Sequence, residues 1–179
     1  MPSRQDIYLG ILSSAMGRKE VDWLCSEAML SSQVFDFFFS QVKNENQRIA
    51  WHSAWVLEKV SEAQPEVYSD SHYDQLVDFT STNQHDGLQR LCLSVIFNLP
   101  IRQPISVDFI NRCFEQMISP KETVGVQVLS MKILDRICTV ESDLTPELIS
   151  TLENTEDGLY SKGFVAAKKN LVKRLITRK

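Results

Sequence analysis

Histidine is the side chain of this sequence best suited to bind a metal ion or to transfer a proton near neutral pH. The chain has three of them, His52, His72 and His85. No two are four residues apart, so the sequence lacks the H-x-x-x-H spacing that places two imidazoles on one helical face. We therefore predict no metal site.

Serine and aspartate residues surround His72, namely Ser69, Asp70, Ser71 and Asp74. These are the residue types of a nucleophilic triad. Side chains one or two positions apart on a helix point in different directions, so this spacing does not predict triad geometry. The favoured interpretation is a helix start, with Ser71 as the N-cap and Asp74 in the first turn.

A serine-rich loop is formed by residues 13–19, which read SSAMGRK. This segment resembles the S-S-x-M-P-x-K signature loop of the fumarase and aspartase superfamily, which includes adenylosuccinate lyase. The resemblance points to Ser14, as the catalytic base, and to Lys19. Gly17 stands where the family has proline, and the alternative is a plain loop between two helices, with Gly17 ending the first.

An aromatic cluster is the strongest candidate for binding a partner. Trp51 and Trp55 are one helical turn apart, and Arg48 precedes them by one turn. Tryptophan and arginine are common among the residues that dominate protein interfaces. Packing between helices is the favoured alternative for the two tryptophans. His52 beside the pair is predicted to be a buried, hydrogen-bonded histidine.

The cysteines indicate the cellular compartment rather than a catalytic role. Cys25, Cys92, Cys113 and Cys138 are widely separated and form no C-x-x-C pair. Each lies among apolar residues at helical spacing, which favours buried free thiols in a reducing compartment. We therefore expect a cytoplasmic protein, and no motif indicates a cofactor.

Charge is distributed unevenly along the chain. The net charge is −4, but the first 157 residues hold 12 basic and 23 acidic side chains. This acidic body argues against nucleic-acid binding as a class of function, since phosphate contacts dominate the affinity for nucleic acid. A basic tail follows, consisting of Lys162, Lys168, Lys169, Lys173, Arg174, Arg178 and Lys179. It suits a helix C-terminus and the polar outer face of a terminal repeat. The alternative is contact with an acidic partner, nucleic acid or a membrane surface.

The sequence pattern predicts that the residues above are positioned by α-helices, since helical periodicity dominates the chain. Apolar residues recur every three or four positions, and prolines and asparagines separate the runs. No stretch is long and apolar enough for a membrane span, and no signal peptide is recognisable at the N-terminus. The predicted helices are 4–15, 19–30, 32–43, 46–63, 71–81, 86–98, 106–118, 122–139, 145–153 and 158–177.

An internal repeat of about 38 residues organises these helices. Sliding the helix at 46–63 along the chain by 39, 38 and 38 residues superimposes its apolar face on three later helices. Ile49, for example, falls on Leu88, Val126 and Phe164. Just ahead of that face, Arg48 aligns with Gly87, Gly125 and Gly163, where a small residue lets a helix start close to its neighbour.

This repeat resembles the HEAT and armadillo class of α-solenoids over residues 32–179. The resemblance implies an all-α fold, a right-handed α-α superhelix of stacked helical hairpins. It also implies one domain over 1–179. Residues 1–31 would be N-terminal capping helices, 32–157 the repeat body, and 158–179 a C-terminal capping helix.

A scaffold module that binds another protein or a peptide is the function implied by that class. We expect no catalytic residues, and the sequence leaves the oligomeric state open. One alternative is an enzyme like the HEAT-like DNA-repair glycosylases, with Trp51, Trp55 and Asp78 in its site. A second alternative is the lyase-related protein suggested by Ser14 and Lys19.

Overall fold

The computed structural model describes residues 2–83 and 85–178. Within these ranges the chain is all-α, with no strand. Single 3₁₀ turns lie at Pro65–Val67, Ser142–Leu144 and Asp157–Leu159. The α-helices are α1 (Arg4–Ser13), α2 (Arg18–Leu30), α3 (Ser32–Gln41), α4 (Gln47–Ala63), α5 (Asp70–Thr82), α6 (Asp86–Asn98), α7 (Val107–Ile118), α8 (Val124–Ile137), α9 (Thr145–Glu153) and α10 (Lys162–Thr177).

Side-chain caps explain where most of these helices begin. The cap side chain accepts a hydrogen bond from a backbone N–H of the first turn, which otherwise has no partner. Ser106 caps α7 in this way, since its hydroxyl oxygen accepts the N–H of Phe109. The same arrangement starts other helices, at Ser3, Ser31, Asn46, Ser69, His85, Thr123 and Ser161.

Two predicted caps are wrong. Helix α5 starts at Ser69 rather than at Ser71, because Ser69 forms a reciprocal capping box with His72. The backbone N–H of Ser69 donates to Nδ1 of His72 at 3.0 Å. Gly17 does not end α1 but starts α2, where its N–H donates to the Glu20 carboxylate at 2.9 Å.

The repeat predicted from the sequence supplies the core. Five face positions of α4 are buried, namely Ile49, His52, Val56, Leu57 and Val60. Their 15 equivalents, 39, 77 and 115 residues later in the chain, are also buried except Leu129, Ala167 and Val172, which are half-buried. The second helix of each pair therefore buries the same face in every copy, and neighbouring helices must cover it.

The chain forms two compact units, Met1–Pro100 and Ile101–Lys179. In the first unit α4 is central, since it packs against α1, α2, α3 and α6, while α5 packs against α6. In the second unit α7 and α8 form a hairpin, and α10 packs against both α8 and α9. The predicted all-α fold of stacked helical hairpins is confirmed within each unit. The assignment of one domain with capping ends stays a prediction.

Candidate functional site

Helix α4 exposes one narrow stripe of side chains. From Ile49 to Val60 every residue of α4 is buried except Trp51, Trp55 and Lys59, which are half-buried. These three are spaced four residues apart, so they follow one line along the helix. Arg48, exposed, begins the same line one turn earlier. We call Arg48, Trp51, Trp55 and Lys59 the α4 stripe.

The two indole rings of the stripe contact each other. Their centroids are 5.7 Å apart with an interplanar angle of 38°. Trp51 also lies against the first turn of α6, because a Cβ added to Gly87 would stand 3.2 Å from Nε1 of Trp51. Trp51 is therefore partly an inter-helix packing residue, as the alternative interpretation held. The sequence alignment of Gly87 with Arg48 gave a signal for this close approach.

Two α4 side chains also cap the C-terminus of α1. Nη1 of Arg48 donates to the carbonyl of Ser13 at 3.3 Å, and Nδ1 of His52 lies 2.6 Å from the carbonyl oxygen of Leu12. The last carbonyls of a helix have no intrahelical partner and carry its negative dipole end. His52 is 5% exposed, so the prediction of a buried, hydrogen-bonded histidine is confirmed.

Lys59 is the stripe residue that the sequence analysis missed. Its Nζ contacts the Glu62 carboxylate at 2.6 Å. That hydrogen bond is the main reason why the pKa of Lys59 is raised above its ordinary value. The signal was its spacing, since Lys59 is one turn beyond Trp55. A cation thus stands at each end of the tryptophan pair.

The other two histidines, His72 and His85, form hydrogen bonds at the N-termini of helices. His72 completes the capping box of α5 and its Nε2 faces Oδ1 of Asp36 at 3.1 Å. Nδ1 of His85 accepts the N–H of Leu88 at the start of α6. Within the part of the chain that the structure describes, no three His, Cys, Asp or Glu side chains are placed to hold a metal ion.

The serine loop is held by local hydrogen bonds. The Ser14 hydroxyl donates to the carbonyl of Gly10 at 2.7 Å, a bond within the end of α1. Lys19 is exposed in the first turn of α2. The two residues implied by the lyase resemblance therefore stand at the end of one helix and the start of the next.

All four thiols are free and buried, as predicted. Burial raises the pKa of Cys92 and the pKa of Cys113 to about 12 each. At neutral pH both are protonated and poorly nucleophilic, which suits a packing role.

A family comparison agrees with this architecture of stacked helices. The HEAT repeat domain family matches residues 9–175, which is nearly the whole chain. This chain is a member of the HEAT repeat domain family. No curated protein sequence matches it. None of the described helices combines the length and apolar composition that a bilayer span requires.

The basic tail belongs mostly to the last helix of this HEAT repeat domain. Nζ of Lys168 is buried against the Thr155 carbonyl, at 3.1 Å, and contacts Asp157, which Lys169 also contacts at 3.3 Å. These hydrogen bonds lower the pKa of Asp157. Arg174 and Arg178 bind Asp135 of α8. Lys179 lies outside the described residues.

Proposed function

We propose that this HEAT repeat domain is a non-enzymatic module that binds another protein or a peptide in the cytoplasm, and that the α4 stripe is its contact site. HEAT repeats commonly serve as scaffolds for interaction, because stacked helix pairs present extended surfaces. Four buried free thiols support a reducing compartment.

The observation that carries this proposal is the composition of the α4 stripe. The only side chains between Ile49 and Val60 that reach the surface are two contacting tryptophans and a lysine. Packing between helices accounts for part of the role of Trp51, which covers Gly87. Trp55 is half-buried. An apolar side chain of a partner would bury the exposed part of its ring.

The cation at the Arg48 end of the stripe favours a partner with a carboxylate beside an apolar residue, whereas Lys59 at the other end is already paired with Glu62. Arg48 uses one guanidinium nitrogen on Ser13, which leaves other N–H donors of its fork for a ligand. Such exposed pairs guide orientation more than they add affinity. The ring pair is therefore expected to supply most of the binding free energy.

The DNA-repair alternative receives less support. Trp51, Trp55 and Asp78 all lie in the first unit, whose sequence holds seven basic and thirteen acidic residues. An acidic surface repels the phosphate backbone that a glycosylase must hold. The lyase alternative gains no support from Ser14, whose hydroxyl proton is bonded within α1.

A displayed peptide library tests the proposal directly. Peptides are selected on the immobilised chain and their affinities are measured against three variants, Arg48→Ala, Trp51→Ala and Trp55→Ala. We expect Trp55→Ala to weaken binding by about 30-fold, the effect of losing an interface residue worth ~2 kcal/mol.

The matched control is Trp23→Ala, a tryptophan of α2 that is 42% exposed and outside the stripe. It should change affinity less than about twofold, within the ±0.5 kcal/mol of a surface substitution. Circular dichroism confirms that each variant is folded. If the selected peptides bind all three stripe variants as they bind the parent chain, the α4 stripe is not the site.

A further inference from the structure

Each unit shows how one long helix stacks on the next. In the second unit α10 meets α8 at Val124 and Asp135. Met131 and Cys138 lie on the same side of α8 by helical spacing. A Cβ at Gly163 of α10 would be 3.5 Å from Cγ2 of Val124. Nη1 of Arg178 contacts Oδ1 of Asp135 at 2.9 Å, and Arg174 contacts the same carboxylate. We call the face that receives the following helix the forward face.

The first unit repeats this arrangement between α4 and α6. The forward face of α4 has Glu58 and Ser61 where α8 has Asp135 and Cys138, since the offset is 77 residues in both cases. Arg90 of α6 lies 3.7 Å from the Glu58 carboxylate. Nδ2 of Asn98 in α6 donates to Oγ of Ser61 at 2.9 Å. In both stackings, a carboxylate on the forward face meets an arginine of the following helix.

Helix α10 has a forward face at the equivalent positions, but there a basic residue replaces the acidic one. Advancing the α8 positions by 38 residues gives Lys162, Lys169, Lys173 and Ile176, and we call these four the α10 forward face. Lys173 replaces the carboxylate, and Lys169 replaces the buried Met131. All four are exposed, and Ile176 is 53% exposed where Cys138 is 7%.

Two adjoining grooves run along this face. One, of about 700 Å³, is lined by Lys173, Val172 and Ile176, and the other, of about 400 Å³, by Lys162 and Val165. Lys169 lines both grooves. From Lys162 to Ile176 the face is about 21 Å long at ~1.5 Å per helical residue, which is room for a four-turn helix.

We infer that the α10 forward face binds an acidic amphipathic helix of a partner protein, which stacks on α10 as α10 stacks on α8 but with the ion pairs exchanged. Carboxylates of the partner face Lys173 and also Lys169, whose ammonium group contacts Asp157 within the chain. Apolar side chains of the partner cover Val172 and Ile176. This surface is separate from the α4 stripe, so the inference stands independently of the proposed function. Nucleic acid fits less well, since a phosphate backbone supplies no apolar side chains to cover Val172 and Ile176.

A designed peptide pair tests the inference with the full chain. The first peptide is an about 15-residue helix, matched to the four-turn face, with leucines at one i, i+4, i+7 stripe flanked by glutamates. Its twin has lysine at every glutamate position. Fluorescence anisotropy should show at least about tenfold tighter binding of the acidic peptide. Raising the salt from about 50 to about 300 mM should weaken it, because screening reduces exposed charge pairs. Equal affinity for the two peptides overturns the inference.

Variants of the chain locate the site. The double variant Lys169→Glu, Lys173→Glu should weaken binding at least about tenfold, by charge reversal at two contacts. The matched control, Lys43→Glu with Lys121→Glu, makes the same change of net charge at exposed lysines elsewhere. A control that weakens binding as much as the test variant shows a net-charge effect and overturns the site.

The uncharged variant Ile176→Gln separates the remaining outcomes. It should weaken peptide binding about three- to fivefold by losing exposed apolar contact, with no change of charge. Sedimentation of the chain without peptide should give a monomer in the parent and in the variant. Self-association that Ile176→Gln abolishes would assign the face to a second copy of the chain, and displacement of the peptide by a short DNA duplex would assign it to polyanions. Either result overturns the proposed occupant.

Discussion

Nδ1 of His52 lies 2.6 Å from the carbonyl oxygen of Leu12, 40 residues earlier in the chain. A carbonyl only accepts, so Nδ1 carries the proton and donates. Leu12 lies in the last turn of α1, where its carbonyl has no helical partner, and Arg48 bonds the next carbonyl, that of Ser13. Helix α4 therefore fixes the end of α1 while its outer stripe stays at the surface.

His52→Leu should destabilise the chain, although the equivalent positions in later copies are Leu91 and Leu129. The substitution leaves the buried Leu12 carbonyl without a donor, a loss of ~1–3 kcal/mol that added apolar burial offsets in part. We expect urea unfolding to show a net loss of about 1 kcal/mol. Amide exchange should accelerate in α1 and not in α6; uniform acceleration would contradict the capping role.

Gly87→Ala should disturb Trp51. A methyl at Gly87 would approach the indole to 3.2 Å, so the ring must shift by a few tenths of an ångström. The helix-propensity gain of about 1 kcal/mol is then reduced. Gly10→Ala is the control, since a Cβ there meets nothing within 4 Å. The Gly10 variant should be stabilised more, and only the Gly87 variant should shift the tryptophan emission. Equal stabilisation with unchanged emission would refute this contact.

Asp135→Asn should loosen α10 from α8. Asp135 is 7% exposed and binds two arginines, Arg174 and Arg178, which stay half-exposed and can be solvated when the carboxylate is lost. We expect thermal unfolding to report a loss of about 1–2 kcal/mol, smaller than for fully buried pairs. Asp143→Asn, at an exposed position, should lie within about 0.5 kcal/mol of the parent. Similar losses in both variants would argue against the ion pairs.

Stability should fall in alkaline solution because of the buried thiols. Burial raises the pKa of Cys92 and Cys113 from 9.0 to about 12 in the folded chain. Because the pKa is raised in the folded chain, each thiol makes a contribution to the free energy of unfolding that is complete below pH 9. This contribution is lost as the pH rises from 9 toward 12, since the thiol of the unfolded chain releases its proton first. Each thiol should contribute a loss of about 1.4 kcal/mol per pH unit in that window.

Urea titrations at several pH values measure how steeply the free energy of unfolding falls with pH. Cys113→Ala should make this slope shallower by about 1.4 kcal/mol per pH unit, the contribution of one thiol proton. The variant is also less stable at neutral pH because of its cavity, so only the slope is compared. An unchanged slope would show that Cys113 ionises normally in the folded chain.

Local pattern determined much of this fold from the sequence alone. Helices α6 and α9 have the predicted bounds, 86–98 and 145–153, and the others differ by a few residues at their ends. The face positions beginning with Ile49 proved to be core, because spacing of three and four residues decides which side chains share one side of a helix. The α5 start was misplaced because serines stand at both 69 and 71, and only the return bond from His72 distinguishes them.

The tertiary structure decided which of those faces meet and which stay at the surface. The sequence marked Arg48, Trp51 and Trp55 as a group, but it did not show that Lys59 completes the stripe, that Trp51 covers Gly87, or that Arg48 and His52 cap α1. The replacement of Asp135 by Lys173 at equivalent positions can be read from the sequence. Only the structure shows that Asp135 pairs with Arg174 and Arg178 of the following helix, which makes this position a contact site. Periodicity is a property of neighbouring residues, whereas contacts between helices some 40 residues apart depend on how the helices pack in space.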